Sequence, residues 1–198
     1  MRTVNQERFE ARRRHVREAA LACFKRKGFH QASMADICAE AKMSPGNLYR
    51  YYDSKEAIIA AICEEDRQGV IDGLAAIGER PNLLEAMLEM AGEALGESDA
   101  EKRKFGCEVL AEAARNEVIA EIVRRHNAAI VAICTEAIRR AQEVGQVDHA
   151  LDPALAAGIL VAAAEGLSTQ LALGAPVDAQ ACRETFKLLM MRFLSPQR

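Results

Sequence analysis

The sequence predicts an all-α protein of about nine helices, in which an N-terminal three-helix domain precedes a larger C-terminal helical domain. Apolar residues recur at helical spacing along the chain, and no segment alternates with period two for long enough to form a strand. All five prolines stand at predicted helix starts or breaks. Crowded helix-start signals between residues 33 and 56 mark the first domain, and the predicted domains span residues 1–54 and 55–198.

The first helix is predicted from an apolar face that begins at Phe9 and ends before Gly28, a residue that suits the position after a helix C-terminus. Three helix starts follow, at Ser33-x-x-Asp36, which resembles a capping box, at Ser44-Pro45 and at Asp53-x-x-Glu56. The helices predicted after the first lie at about 34–41, 45–51, 55–78, 84–95, 100–114, 116–144, 153–173 and from 178 onward.

The composition indicates a folded cytoplasmic protein. Half of the 198 residues are hydrophobic, which is enough for a substantial core. The longest apolar run, Pro153 to Ala164, is shorter than the roughly 18–20 residues that a membrane span needs. The N-terminus also lacks the apolar segment of a signal peptide. We therefore expect no membrane partner.

The six cysteines are widely spaced and form neither a CxxC pair nor a metal-ligand pattern. We expect buried thiols that pack as small hydrophobic side chains, with a redox switch as the alternative, and no metal site. The sequence contains no HExxH, GxSxG or P-loop motif. An enzyme is therefore not expected, and no cofactor is implied.

Charge is divided unevenly along the chain. Residues 1–55 hold 12 Lys and Arg against 6 Asp and Glu, a net charge of +6, and the remainder carries −9. A basic N-terminal part on an acidic body suggests that this end meets a polyanion. Alone the division is a weak signal, because a solvated basic face is the usual explanation.

Residues 34–51 predict two short helices joined by a tight turn at residues 41–43, which is the layout of a helix-turn-helix. All three tyrosines lie within residues 49–52. Asn can pair with adenine, Arg with guanine or phosphate, and Tyr with phosphate oxygens. The residues expected to face outward from the second helix are Gly46, Asn47, Tyr49, Arg50 and Tyr51. Double-stranded DNA is therefore the expected partner.

Residues 10–60 resemble the N-terminal domain of the TetR (tetracycline repressor) family of bacterial regulators. The resemblance is carried by Phe24, Gly28-Phe29, Ala32-Ser33, Asp36-Ile37, Ala41, the run from Ser44 to Tyr49, Tyr51-Tyr52 and Ser54-Lys55-Glu56. It implies a DNA-binding set of Ser33, Ser44, Gly46, Asn47, Tyr49, Arg50, Tyr51 and Lys55. Within this set, Ser33, Tyr51 and Lys55 are expected to contact phosphates, and Tyr52 is expected to be core.

Two residues depart from the family pattern. Lys42 stands at the turn position where glycine is usual, and a positive φ there costs a non-glycine residue about 1 kcal/mol or more. Cys38 replaces a small alanine between the packed helices. We expect the motif to survive both changes with a slightly remodelled turn.

The C-terminal domain is implied by the resemblance to hold a dimer interface and an effector pocket. Small residues on the penultimate helix would allow close helix approach, and a four-helix bundle between two subunits is expected. The predicted interface residues are Leu160, Leu167, Leu171, Phe186, Leu189 and Phe193. An ordinary intrachain core is the alternative for them.

The pocket is predicted from its residue types as mainly apolar, with walls at Met87, Met90, Phe105, Cys107, His126 and Cys134. His126 is either a satisfied core residue or a polar group that reaches a ligand. Glu165 either contacts a ligand or faces solvent. A homodimeric repressor that binds a near-palindromic operator and is released by a small-molecule effector is therefore expected. The alternatives are a thiol-redox-responsive regulator and an effector-independent DNA-associated protein.

Overall fold

The computed structural model describes residues 2–77, 82, 84–85, 87–89, 100–176 and 178–196. Eight helices have described bounds: α1 (Arg2–Lys27), α2 (Met34–Glu40), α3 (Pro45–Leu48), α4 (Lys55–Ile77), α5 (Ala100–Ala113), α6 (Glu117–Glu143), α7 (Pro153–Ala172) and α8 (Ala179–Leu194). Residues 84–85 and 87–89 are also helical, within the helix predicted at 84–95. The described residues contain no strand. The all-α prediction of about nine helices is confirmed.

Side-chain caps start several helices where the sequence predicts them. The Ser33 hydroxyl accepts from the Asp36 N–H at 3.1 Å, and the Asp36 carboxylate accepts from the Ser33 N–H at 3.0 Å, which completes a capping box. Asp152 caps α7 by accepting from two backbone N–H groups, and Asp178 caps α8. These bonds satisfy amides that have no partner within their helix.

Two boundaries and one capping residue differ from the predictions. Helix α1 begins at Arg2, well before the apolar face that starts at Phe9. Helix α3 ends at Leu48, after which hydrogen-bonded turns continue to Tyr52. At the start of α4 the Ser54 hydroxyl, one residue after Asp53, accepts from the Ala57 N–H at 3.1 Å. Helix ends are the least certain part of a pattern-based prediction, because fraying and turns alter the last residues.

The turn after α2 adopts the backbone that the family pattern implies. Lys42 has φ of +52°, the only positive φ at a non-glycine residue in the described part of the chain. The Met43 N–H donates to the Cys38 carbonyl at 2.9 Å, and the Lys42 N–H donates to that of Ala39 at 3.2 Å. These two bonds form a Schellman motif, in which the left-handed residue is usually glycine. The predicted strain at Lys42 is therefore present.

The chain forms two compact units. The first comprises Met1–Glu65 with Phe105–Arg124, and the second comprises Asp66–Lys104 with Arg125–Arg198. The first unit therefore includes most of α5 and the start of α6 in addition to the predicted N-terminal domain. The predicted boundary at residue 54 was placed from local helix signals, which carry no information on where distant helices pack.

The core of the first unit connects α1 to the motif helices and to α5. Its fully buried side chains include Phe24, Ile37 and Leu48. The Phe24 ring stacks on the ring of Phe105 with centroids 5.6 Å apart, and Phe29 meets Phe24 edge-on at 5.1 Å. Aromatic pairs at such distances contribute about 0.5–1.5 kcal/mol beyond their buried area. This packing anchors the motif helices to α1 and α5.

The second unit has its own core, formed from α6, α7, α8 and the helical residues near 87. Its buried side chains include Ile138, Phe186 and Leu194. The Gln142 amide donates to the carbonyls of Asp148 and Leu151, which ties the end of α6 to the loop before α7. By length and composition alone, helix α7 could cross a membrane. This differs from the expectation that its apolar run is too short for a span. A single helix of this kind is weak evidence for a membrane span.

Candidate nucleic-acid interface

The two motif helices expose one face and bury the other. Ile37 and Cys38 on α2 and Leu48 on α3 are buried in the core of the first unit. Cys38 therefore fits between the helices in place of the expected alanine. These three apolar side chains therefore point into the unit. The remaining α3 positions are left at the surface.

The tip of the motif carries the residues expected to meet DNA. Gly46 is exposed, and a Cβ added to it would meet no atom within 4 Å. Tyr49 exposes 51% of its surface, and Arg50 is exposed, while Asn47 and Tyr51 are half-buried. A duplex can therefore approach the Gly46 backbone, the Tyr49 hydroxyl and the Arg50 guanidinium without displacing core side chains.

The two predicted serines lie at the N-termini of α2 and α3. Ser33 is exposed, and its hydroxyl is held by the Asp36 carboxylate at 2.8 Å. Ser44 is exposed, and its side chain makes no capping hydrogen bond to α3, which leaves that hydroxyl available. Of the two, Ser44 is the one whose hydroxyl proton is not already directed to a carboxylate of its own helix.

Lys55 lies at the start of α4, as predicted, and its ammonium is engaged by the loop after α1. It donates to the Phe29 carbonyl at 3.0 Å and to the His30 carbonyl at 3.4 Å. It also lies 4.7 Å from the centroid of the Phe29 ring. Lys55 is therefore a structural clamp on this loop as well as a candidate phosphate contact.

Helix α1 fixes the end of the motif through Tyr52. Arg17 donates to the Tyr52 hydroxyl at 3.1 Å and to Glu65 at 2.8 Å, and the Arg13 guanidinium lies 4.9 Å over the Tyr52 ring. Tyr52 is only 3% exposed. The prediction that Tyr52 belongs to the core is confirmed, since Tyr52 is buried and Arg13 and Arg17 of α1 both contact it.

A contact from α5 to the motif was missed by sequence reasoning. The Glu108 carboxylate accepts from the Phe29 N–H at 2.8 Å, and the Glu112 carboxylate lies 3.7 Å from the His30 ring. Glu112 is buried, and the Arg115 guanidinium holds the pKa of its carboxyl below the usual range. In the sequence, Glu108 and Glu112 are visible only as two carboxylates one helical turn apart on α5. That spacing does not identify partners about 80 residues earlier in the chain.

The Asp36 carboxylate makes both an ion pair and hydrogen bonds at the start of α2. The Lys27 ammonium lies 2.6 Å from its carboxylate and, with the two bonds to Ser33, holds the pKa of Asp36 well below its usual range. A carboxylate in the first turn of a helix is also favoured by the helix dipole. The capping box is therefore formed throughout the neutral pH range.

The predicted pocket residues are divided between the two units. Phe105 and Cys107 belong to the first unit, where the Phe105 ring is part of the core. Met87, His126 and Cys134 belong to the second unit. Met90 lies outside the described residues. The prediction grouped these side chains by residue type alone. In the structure, only Met87, His126 and Cys134 among the described ones belong to the second unit.

His126 is a polar residue of the second unit whose own contacts are incomplete. Its Nε2 lies 3.6 Å from the Asp66 carboxylate, and its buried Nδ1 has no hydrogen-bond partner among the residues that the structure describes. Glu165 is exposed over the residue as a whole, but partial desolvation of its carboxyl raises its pKa, and the attraction of His126 partly opposes that shift. A buried nitrogen without a partner costs free energy, so a polar ligand atom would stabilise this arrangement.

The cysteines are all free thiols. Cys23 and Cys38 are buried, and burial raises the pKa of both Cys23 and Cys134. The thiolate is the form that oxidants attack. The environments of Cys23 and Cys134 therefore argue against a thiol switch at these two positions.

The predicted interface residues differ in exposure. Leu160 and Phe186 are buried inside the second unit, at 7% and 3% exposure, whereas Leu189 is 51% exposed. Leu167, Leu171 and Phe193 are half-buried. The prediction assigned one apolar face of each helix to the dimer interface. Leu160 and Phe186 instead belong to the intrachain core, which is the alternative given for these residues in the sequence analysis.

A helix-turn-helix with an exposed polar tip on a buried scaffold is typical of a DNA-binding regulator. Comparison with known proteins agrees. Residues 16–62 match the family "Bacterial regulatory proteins, tetR family", and residues 81–195 match "BetI-type transcriptional repressor, C-terminal". The chain belongs to the TetR family of transcriptional regulators, and its predicted family membership is confirmed.

Individual relatives support the same assignment. The HTH-type transcriptional regulator UidR of Escherichia coli K12 is 29% identical over 153 residues, which cover 75% of this chain and 76% of UidR. The structure of Salmonella enterica GusR is 30% identical and covers 93% of this chain and 95% of its own, with a TM-score of 0.78. The SmeT–triclosan complex, from Stenotrophomonas maltophilia, is 23% identical over 94% of this chain and 93% of its own, with a TM-score of 0.78, and shows the shared fold.

Proposed function

We propose that this protein is a cytoplasmic homodimeric repressor that binds a near-palindromic operator and leaves it when a small-molecule effector binds. The observation that carries the proposal is the exposed tip of the motif, where Gly46, Tyr49 and Arg50 stand on a buried scaffold. Asn47 and Arg50 would contact base edges, and Ser33, Ser44, Tyr51 and Lys55 would contact phosphates.

The proposed dimer uses the exposed apolar surface of α7 and α8. Leu155 and Ile159 lie one turn apart on α7 and are 69% and 59% exposed, and Leu188, Leu189 and Met191 on α8 are also exposed. Burying a leucine or isoleucine contributes about 1.5–3 kcal/mol. A second copy of the chain would bury both helices in a four-helix bundle, and two recognition helices would then read a two-fold site.

The proposed effector binds in the second unit near His126. The buried Nδ1 of His126, the carboxylate of Asp66 and the carboxyl of Glu165 supply polar groups, and Met87 and Cys134 supply apolar walls. We infer an effector with an apolar body and one hydrogen-bonding group for His126. The related SmeT was solved with triclosan, a precedent on this fold for such a small molecule.

The proposed response follows from helix α4. This helix begins in the first unit at Lys55 and ends in the second unit at Ile77. An effector that prefers one state of the second unit would shift α4 and change the spacing of the two recognition helices. The effector weakens DNA binding only by its difference in affinity for the two states.

The proposal is tested with a duplex that the full-length protein selects from a randomised library. Arg50→Ala and Tyr49→Phe should each weaken binding to that duplex, because a good base or phosphate contact contributes about 1–3 kcal/mol. Arg139→Ala, in the second unit, is the matched control and should bind as the unchanged protein does. If the library yields no preferred duplex, or if both motif variants bind normally, the proposed reading face is wrong.

A further inference from the structure

The N-terminal end of α1 is a part of the first unit to which the family comparison assigns nothing. The family match begins at residue 16, whereas α1 begins at Arg2. The side chains are described from Gln6 onward. The stretch between Gln6 and His15 forms nearly three helical turns beyond the matched region.

This stretch is attached to the end of the motif through an aromatic contact. The Phe9 ring meets the Tyr51 ring with centroids 5.1 Å apart and a 41° angle between planes. Tyr51 directly follows Arg50, one of the proposed DNA contacts. Phe9 stays 43% exposed, so its packing onto Tyr51 holds the start of α1 beside the reading face without adding to the core.

The arginines of this stretch differ in their partners. Arg13, Arg14 and Arg17 each have a carboxylate within 4.0 Å, at Glu10, Glu18 and Glu65 respectively. Arg8 and Arg12 are exposed and have no ion pair or hydrogen bond with any residue that the structure describes. Two charges of the basic N-terminal region are therefore not neutralised by the protein itself.

Helical geometry places these two arginines on the same side of α1. At about 100° per residue, Arg8 and Arg12 lie within roughly 40° of each other and next to Phe9. Glu7 and Glu10 lie about 100° or more from both arginines by the same count. Like charges four residues apart repel each other by a few tenths of a kcal/mol, and an anion beside them would remove that cost.

We propose that Arg8 and Arg12 form a second DNA contact, to phosphates of the duplex that flank the bases met by the helix-turn-helix. The inference rests on the proposed operator binding and extends it beyond the family region. Arginine pairs with phosphate through its planar guanidinium. Phe9 and Tyr51 act as the positioning pair, because their contact holds this end of α1 next to Arg50.

The test measures the salt dependence of DNA affinity for the full-length protein. Each neutralised phosphate contributes about 0.9 to the slope of log K against log salt. Arg8→Gln with Arg12→Gln should therefore make the slope shallower by about 2 per subunit and weaken binding on the order of tenfold at low salt. The selected duplex and a scrambled duplex should lose affinity equally, because phosphates carry no sequence information.

Two matched variants and one substitution of Phe9 test whether the change in slope comes from the charges of Arg8 and Arg12. Arg139→Gln with Arg140→Gln removes the same charge from the second unit and should leave the slope unchanged. Arg8→Lys with Arg12→Lys keeps both charges and should restore the slope, since lysine also binds phosphate. Phe9→Ala should weaken binding in the same direction as the glutamine pair, with little change in melting temperature because Phe9 is not part of the buried core.

The outcomes separate this inference from the proposed function. A steep slope in the unchanged protein together with the same slope in the Arg8 and Arg12 glutamine variant overturns the second contact but leaves operator binding intact. A loss confined to the selected duplex, or a lysine pair that fails to restore the slope, also overturns a phosphate contact. Absence of any DNA binding by the unchanged protein overturns both.

Discussion

The Glu108 carboxylate accepts a hydrogen bond of 2.8 Å from the Phe29 N–H, which joins α5 to the loop that leads into the helix-turn-helix. Lys55 holds the carbonyl of the same residue at 3.0 Å from the other side. The Phe29 peptide groups are thus satisfied by two charged side chains from distant helices. The entry to the motif is therefore positioned by tertiary contacts as well as by local caps.

Glu108→Ala should lower the free energy of unfolding by about 1–3 kcal/mol, because it leaves the Phe29 N–H without its acceptor. Glu108→Gln should lose less, since an amide oxygen can still accept. The measurement is urea unfolding followed by circular dichroism. Glu117→Ala removes an exposed ion pair with Arg124 and should cost under about 1 kcal/mol. Equal losses for the two alanine variants would show that the Phe29 bond contributes nothing specific.

Lys42→Gly should raise the free energy of unfolding by about 0.5–1 kcal/mol. Glycine removes the steric cost of the positive φ at this turn, partly offset by its larger entropy in the unfolded chain. Lys42→Gln is the control, because it removes the charge and keeps the strained backbone. Chemical denaturation compares the three proteins, and an equal gain for the glutamine variant would assign the effect to charge.

Ile159 and Leu160 are neighbours on α7 that should respond oppositely to substitution. Ile159 is 59% exposed and Leu160 is 7% exposed. Ile159→Glu should dissociate the proposed dimer with little effect on the fold. Leu160→Ala should leave a cavity and cost about 2–5 kcal/mol of stability. Analytical ultracentrifugation and denaturation together distinguish the two results, and a dimer that persists in Ile159→Glu contradicts the proposed interface.

Glu165→Gln should become more stable than the unchanged protein as the pH rises from about 4 to 7. Partial desolvation raises the pKa of Glu165 in the folded protein. Between the pKa of the unfolded chain, near 4.3, and the folded pKa, the folded protein therefore holds a proton that the unfolded chain releases. Stability from this group is present in acid and is lost as the pH rises through the folded pKa. Glutamine does not ionise and escapes that loss.

His126→Gln provides the counterpart, because the attraction of His126 lowers the pKa of Glu165. Without it, the pKa of Glu165 should rise further, and the loss of stability should extend to higher pH. Thermal unfolding across the pH range measures both effects. A constant difference between Glu165→Gln and the unchanged protein from pH 4 to 7 would mean that the carboxyl is as well solvated in the folded state as in the unfolded one.

The start and stop signals of the helices could be predicted because their causes are local. The Ser33–Asp36 capping box, the proline after Ser44 and the strain at Lys42 each depend on a few neighbouring residues. The same holds for the tip of the motif, where side chains opposite the buried face must be exposed. The extension of α1 to Arg2 was missed, because exposed helical turns carry no apolar period.

The sequence by itself determined the all-α class, the helix-turn-helix, the face that it exposes and the family resemblance. Only the tertiary structure decided that Glu108 and Lys55 hold Phe29, that Phe105 is core rather than a partner of Met87, and that Leu160 and Phe186 are turned inward. The reason is physical. Caps and periodicity act within one or two turns of a helix, whereas the choice of partner for an apolar or charged side chain depends on which distant helices pack against it.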